Sequence, residues 1–526
     1  MVGIALLLGA AALAYAVAKA LRVPPVPLLL LAGLMLARLG RVPGDLLEDA
    51  LILGVTFLLF VTGIELSPRR IRGQRRAVLR VGSLQFILLG AIGLLAALLL
   101  GFDVLSATYL ALALTASSTL IIVRLLRQRR QMFEPFARLV VGVLLLQDLF
   151  VILLIPVMTR APRGVAWVAA GLAAVAVLLA LAAATFRWVA PLIVRLDGDD
   201  EALLLATLAL LFAFIGTVAW LDLPLLVGAF LAGVALSGFP ANAVIRPQLA
   251  SIGDFFSAIF FTALGALIGV PTGTELLQAL VLTLLVVVAT PPLVTLVAER
   301  AGFSARPAIE AGLLLAQTSE ISLVVGLYGM IEGQLAPGVF TVIALVTLMT
   351  MVLTPFISSD RVAWWLMHLH PVRSRAQREP PAGGHIVVLG SGSTGMPLLE
   401  SMLGSGYEVV VVDDDPNVVE RLREADVPVI RGDATDLHVL EEARARSARM
   451  ITSTIRRPED NRRLLEYARG VPVIVRVFEQ ADADWVREMG GTPILYSEAA
   501  ADSMLRWFER ERAAGSQESR RGDARP

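Results

Sequence analysis

The sequence predicts a polytopic α-helical membrane protein, about 13 spans with inverted repeats and two crossed broken helices, followed by a cytoplasmic α/β Rossmann-like domain. Three observations carry this expectation. Apolar runs of membrane-spanning length recur from Val2 to Ile357, in a chain of 526 residues that is 56% hydrophobic with mean hydropathy +0.74. Three polar or proline-marked patterns in that region return about 200 residues later. After Arg361 charge concentrates, and short apolar runs alternate with helical patterns as in a parallel sheet.

With about 20 apolar residues as the measure of one crossing, the spans fall near 2–21, 26–39, 45–66, 77–101, 104–126, 134–159, 163–195, 200–221, 223–239, 250–270, 274–299, 305–331 and 336–358. The second and ninth are short, and a turn near 221–224 would reduce the count to twelve. The first run lacks a basic leader and a small-residue cleavage site, so it reads as a retained helix. Arg69, Arg70, Arg72, Arg75 and Arg76 follow the third span, Arg124, Arg127, Arg129 and Arg130 the fifth, and Arg300 and Arg306 flank the loop after the eleventh. Arginine-rich loops stay cytoplasmic, which puts the C-terminus inside. Trp364 and Trp365 stand where an interfacial belt is expected. Net charge is zero, which gives no footprint for nucleic acid, and the absence of Cys excludes thiol chemistry and disulfides.

The span Arg138 to Pro156 carries Asp148 in its middle. A carboxylate at that depth costs about 2.5–3.5 kcal/mol on insertion scales, so it is rare and marks a functional site by default. FVTGIEL (60–66) resembles TALGALI (262–268), LTASSTL (114–120) resembles LAQTSEI (315–321), and Pro156 and Pro355 lie 199 apart. Seven spans separate the copies, so their topologies are opposed, as in alternating-access carriers with a midplane site. Thr115, Ser117, Ser118 and Thr119, and again Gln317, Thr318, Ser319 and Glu320, interrupt their helices. Irregular backbone at that depth is tolerated where it is buried or lines a cavity. Half-helix termini would carry about half a unit charge each. Ser118 and Thr119 would donate oxygens to a cation, and Glu320 would neutralise the positive helix ends.

Residues 361–384 are polar, basic and Pro-rich, the composition of an extended linker. HIVVLG then reads as a buried strand, and Gly390, Gly392 and Gly395 form a G-x-G-x-x-G turn opening a helix. A second strand ends at Asp413 about 20 residues on. Together these make a dinucleotide fingerprint: backbone amides at a helix N-terminus for phosphate, and an acid for the ribose. Four more strands follow, at PVIRGD, RMITST, VPVIVRV and TPILYS, and the tail beyond 510 is expected to be disordered.

The motifs LLFVTGIELSPRR, ALTASSTLIIVRLL, LLLQDLF, GAFLAGVALS and LLLAQTSEISLVVGL resemble those of the monovalent cation:proton antiporter-2 family, the Kef-type potassium/proton antiporters. VLGSGSTG, VVVVDDDP and RGDATD resemble the regulator-of-potassium-conductance or TrkA-N domain. The resemblance covers residues 1–510. It implies a homodimeric, non-enzymatic exchanger of the bacterial inner membrane. Its transmembrane domain would span 1–360, its linker 361–384, its regulatory domain 385–510 and its tail 511–526. A proton and a monovalent cation (K⁺ ahead of Na⁺) would compete at Asp148, with Gln147, Ser118, Thr119 and Glu320 in the site. The amide at Gln147, where some relatives have a second acid, implies electroneutral exchange. An adenine nucleotide, NAD(H) or AMP, would bind at Gly390, Gly392, Ser393, Gly395, Asp413 and Asp433. Ser393 stands where related domains often have Arg, and Gln317-Thr318-Ser319-Glu320 replaces a Gly-containing tetrad. The competing readings are a nucleotide-gated potassium channel or efflux system and a Na⁺/H⁺ antiporter of the same fold.

Overall fold

The computed structural model describes residues 2–21, 24–38, 44–65, 74–129, 131–132, 134–194, 200–238, 241–303, 305–369, 375–376, 381–391, 395–455 and 458–508. The chain forms two compact units, one of residues 1–301 and 307–366, the other of 302–306 and 367–526.

In the first unit, among the described residues, ten helices are long and apolar enough to cross a membrane. Three shorter apolar ones (Pro25–Arg38, Leu225–Leu236 and Ile252–Leu267) accompany them. The two segments expected to be short, near 26–39 and 223–239, are two of these three.

The helices form two bundles. The first contains α1 (Val2–Leu21), α2 (Pro25–Arg38) and α3 (Gly44–Glu65). The second contains α4 (Arg75–Leu99), the split pair α5 (Val104–Thr115) and α6 (Thr119–Gln128), and α7 (Pro135–Arg160). A long helix, α8 (Val165–Ala184), continues through a π-turn over Thr185–Val189 into α9 (Ala190–Val194) and packs on α7 and α11. The chain then repeats itself. Helices α10 (Asp200–Trp220), α11 (Leu225–Leu236) and α12 (Ala241–Leu267) return to the first bundle. Helices α13 (Gly273–Arg300), the split pair α14 (Ala305–Leu315) and α15 (Glu320–Ile331), and α16 (Pro337–Ile357) return to the second. Helix α12 begins about nine residues before the expected span. Packing within each bundle is dense and packing between them is sparse.

The first bundle is an interleaved crossing of the two repeats. Helix α3 lies against α11 and α12, and α2 against α12. At one crossing a Cβ on Gly63 would collide with the Phe230 carbonyl oxygen, and one on Gly233 with that of Phe60. At the other, a Cβ on Gly33 would collide with the Thr262 carbonyl, and one on Gly265 with that of Leu30. Glycine here lets backbones touch, which is how helices associate where lipid removes the hydrophobic drive between them. Gly33 and Gly233 lie 200 apart and Gly63 and Gly265 lie 202 apart, so one crossing is built twice.

After α16, residues Asp360–Leu369 form α17. This helix occupies the start of the segment expected to be an extended linker. Its burial has helical spacing, with Ala363 and Met367 four residues apart and buried. Trp365 is exposed. The side chain of Trp364 lies outside the described residues, as do most of the first arginine loop and the tail from 509.

The second unit is a seven-stranded sheet in the order β1-β4-β3-β2-β5-β6-β7. The strands are β1 (Arg375–Ala376), β2 (Ile386–Leu389), β3 (Val409–Asp413), β4 (Val429–Arg431), β5 (Met450–Ser453), β6 (Val473–Val477) and β7 (Thr492–Leu495). The six expected strands pair in parallel, in the order of a doubly wound dinucleotide fold. The seventh, β1, comes from the linker stretch and adds antiparallel to β4, Arg375 opposite Arg431. On β2, Val387 and Leu389 belong to one apolar core and Ile386 and Val388 to another, so both faces are covered. That explains the unbroken apolar run, since a strand buried on both sides has no polar alternation. Residues 496–508 are helical and exposed along nearly their whole length.

Candidate functional site

The two split helices meet. Between α5 and α6 the backbone is extended at Ala116 (φ −90°, ψ 141°) and Ser118 (φ −69°, ψ 116°). Between α14 and α15 it is extended at Ser319 (φ −101°, ψ 159°). Ser118 and Ser319 are the N-caps of the second half-helices, each accepting from the backbone amide of Ile121 or Ile321. The breaks are cross-linked. Ser117 Oγ donates to the Leu315 carbonyl at 2.8 Å, Gln317 Nε2 to the Ser118 carbonyl at 3.4 Å, and Ser322 Oγ to the Ala113 carbonyl at 2.5 Å. No water reaches these groups through lipid, so side chains satisfy what the broken helices leave free.

Asp148 faces this crossing from α7. It is 1% exposed. Its Oδ2 accepts from Thr119 Oγ1 at 3.1 Å, and its Oδ1 is buried without a hydrogen-bond partner. Glu320, 5% exposed, begins α15. Ser118 and the Leu120 backbone are its hydrogen-bonding neighbours, and its Oε2 is likewise without a partner. Asp148, Ser118, Thr119 and Glu320 are therefore one neighbourhood, and both carboxyls keep an oxygen in reserve. Such a site can take a proton or a small cation stripped of water, for which hard oxygen ligands suit.

Gln147 is placed differently. Its Oε1 accepts from the Ser117 backbone amide at 3.1 Å, and its Nε2 donates to Gln85 Oε1 at 2.6 Å. Gln85, on α4, donates in turn to the Thr115 carbonyl at 3.4 Å. Sequence reading missed Gln85, although a lone amide in the apolar span 77–101 was the available signal. It also missed the threonine ladder of α16. Thr350 Oγ1 accepts from the Thr318 amide at 3.1 Å, Thr347 Oγ1 lies 3.2 Å from Thr318 Oγ1, and Thr354 Oγ1 donates to Gln317 Oε1 at 2.9 Å.

In the second unit the sheet order brings the ends of β2, β3 and β4 side by side, and with them Gly390, Asp413 and Asp433. Gly390 has φ +76°, which glycine alone adopts without strain. A Cβ on Gly395 would collide with the Gly390 carbonyl oxygen, the close helix–strand approach that the third glycine of the fingerprint serves. Gly392 and Ser393 lie outside the described residues. Asp413, expected to face a ribose, is buried. Its Oδ2 accepts from the Ser391 amide at 2.6 Å and the Ser391 hydroxyl at 3.1 Å, and its Oδ1 from the Asp415 amide at 2.9 Å. It clamps the glycine turn to β3. Burial pushes its carboxyl above the ordinary range, and these hydrogen bonds partly offset the shift. Asp433 closes a turn by accepting from the amide and hydroxyl of Thr435.

These features define a class: a polytopic membrane protein of the inverted-repeat, broken-helix kind, joined to a dinucleotide-fold domain. Residues 7–359 match the transmembrane sodium/hydrogen exchanger family and residues 386–497 the TrkA-N domain. The chain is similar to the glutathione-regulated potassium-efflux system protein KefC of Enterobacter sp. (strain 638), 30% identical over 88% of this chain and 76% of that one. To KefC of Escherichia coli (strain K12) it is 29% identical over 87% of this chain and 76% of that one. Its fold is similar to the sodium proton antiporter MjNhaP1 from Methanocaldococcus jannaschii, with a TM-score of 0.54 at 18% identity over 69% of this chain and 97% of that one. The chain belongs to the sodium/hydrogen exchanger family. It is a multi-pass membrane protein, a cation/proton antiporter carrying a TrkA-N domain, and not an enzyme.

Proposed function

We propose that this protein exchanges a monovalent cation, K⁺ ahead of Na⁺, for a proton by alternating access, with both ions competing for Asp148. The observation that carries the proposal is the Asp148 carboxyl, buried beside two crossed helix breaks with one oxygen held by Thr119 and the other free of partners. Ser118 and Thr119 supply cation oxygens, and Glu320 balances the half-helix ends. K⁺ stands ahead because the KefC relatives are named as potassium-efflux proteins. The two sparsely joined bundles suit a rocking movement that carries the occupied site between faces. With an amide at position 147, exchange is one for one and electroneutral.

The transmembrane domain is taken as 1–360 and the regulatory domain as 385–510. The protein acts as a homodimer in the bacterial inner membrane with the regulatory domain in the cytoplasm. That domain binds an adenine nucleotide, NAD(H) or AMP, at the edge formed by Gly390, Gly392, Ser393, Gly395, Asp413 and Asp433. A nucleotide controls transport only if it binds two transporter states unequally.

Proton flux in proteoliposomes under separate K⁺ and Na⁺ gradients tests the exchange. Equal flux with both cations removes the preference, and flux with neither removes the function. A clamped potential of about 100 mV, worth about 2.3 kcal/mol per net charge, leaves the final ion ratio unchanged if exchange is electroneutral. Calorimetry with NAD, NADH and AMP tests the nucleotide, and heat from none of them removes it.

A further inference from the structure

The amide bridge on the first break has a role distinct from ion binding. Where α5 ends, the Thr115 carbonyl has lost its intrahelical partner and the Ser117 amide has none in the extended turn. Gln85 donates to the first at 3.4 Å, Gln147 accepts from the second at 3.1 Å, and the two side chains join each other at 2.6 Å. Both glutamines are 0% exposed. A side-chain amide offers separate donor and acceptor ends, so two in series span from a carbonyl to an N–H across two helices. The bridge fixes the turn relative to α7. Ser118 and Thr119 follow directly on that turn, and Asp148 follows directly on Gln147. The Thr119–Asp148 hydrogen bond is therefore set by a frame whose far end is Gln85 on α4.

We infer that Gln85 is a positioning residue for the Asp148 ion site, acting through Gln147. Gln147 serves as part of this frame, since both ends of its amide are already engaged. The inference rests on the antiporter reading above. Gln85 touches neither ion. Its removal frees the Thr115 carbonyl and lets the turn carrying Ser118 and Thr119 shift against Asp148. An error of about 1 Å in such a site costs heavily in function even when the fold holds.

The test is cation-driven proton flux in proteoliposomes of the full chain, measured against K⁺ concentration. Wild type, Gln85→Met, Gln147→Met and the double variant are compared, with Thr354→Val, on the second break, as a control. The expected result is an apparent cation KM raised about tenfold by Gln85→Met. The double variant should lie within about twofold of the worse single variant, because either change opens the same bridge. Thr354→Val should leave KM where it was. A purely structural Gln85 lowers the maximal rate with the amount of folded protein and leaves KM unchanged, and that result overturns the inference. Independent, multiplicative effects of the two glutamines overturn it as well. Where Gln85→Met does not fold, Gln85→Glu replaces it at the same length and is read against the same KM criterion. Wild type without cation-dependent flux sinks the antiporter reading itself, and this inference with it. An active wild type beside an unaltered Gln85 variant sinks this inference alone.

Discussion

The two helix breaks are copies of one design with their chemistry exchanged. At the first, the hydroxyl of Thr119 opens the second half-helix, and the carboxyl sits on the neighbouring span at Asp148. At the second, the carboxyl of Glu320 opens the half-helix, and the neighbouring span offers the hydroxyl of Thr347. The correspondence is positional: Thr119 and Glu320 lie 201 apart, Asp148 and Thr347 lie 199 apart, and Ser118 and Ser319 are both N-caps. The supports differ too. Amides from two helices hold the first break, whereas three threonines of the single helix α16 hold the second, Thr347 and Thr350 also donating to a carbonyl within their own helix. An acid at a half-helix N-terminus lies where the peptide dipoles favour a fixed negative charge. An acid in the middle of a continuous helix has no such support, and its charge must be balanced by what binds. Under the proposed mechanism, exchange falls to the first break and anchorage to the second.

The sharpest way to break this comparison is to neutralise each acid in turn. Asp148→Asn should abolish cation-coupled proton flux while melting at or above the wild-type temperature, since it removes an insertion cost of about 2.5–3.5 kcal/mol. Glu320→Gln should retain measurable coupled flux. Half the wild-type rate surviving in Asp148→Asn, or a dead Glu320→Gln beside it, reverses the assignment. Next in size are the glycine crossings under both repeats. Gly33→Ala forces α2 off the Thr262 carbonyl and should cost about 1–3 kcal/mol of stability by overpacking, readable as a lowered melting temperature in detergent. An unchanged melting temperature would mean that the crossing relaxes freely.

Thr350→Val orphans the Thr318 amide at the second break. It should cost about 1–3 kcal/mol and leave the apparent cation KM alone. A raised KM would show that the second break also shapes the ion site. The smallest effect lies in the regulatory domain. The Asp413 carboxyl is held above its ordinary value of 3.8 by burial. The folded domain therefore binds this proton more readily than the unfolded chain, and stability falls as pH rises through that window. Asp413→Asn should flatten the acidic side of the melting-temperature profile of residues 385–510. A parallel profile would mean that the clamp on Ser391 outweighs burial.

Much of this was legible from residue order. Lipid imposes a length and an apolar composition on each span, and an acid inside one cannot be hidden, so the spans and Asp148 stand out without coordinates. The six parallel strands were equally plain, because strands buried on both faces stay apolar throughout and the glycine turn has a required place. The repeat was visible in three weak matches. Its use was not, because whether Gly33 meets Thr262 or Gly63 meets Phe230 depends on which helices cross. Gln85, lying 62 residues before Gln147, had no local partner to reveal it. The strand at Arg375–Ala376 depends on an open edge of β4, and nothing in one arginine and one alanine announces that edge. Asp413 shows the same division. Its spacing from the glycines marked it as part of the fingerprint, but only the packed turn decided that its oxygens point back to Ser391 and Asp415. Composition and periodicity act along the chain and so determined which segments are long and apolar enough to cross and that one of them carries Asp148 in its middle. Hydrogen bonds between distant residues depend on how helices and strands are brought together, and the tertiary structure alone decided those.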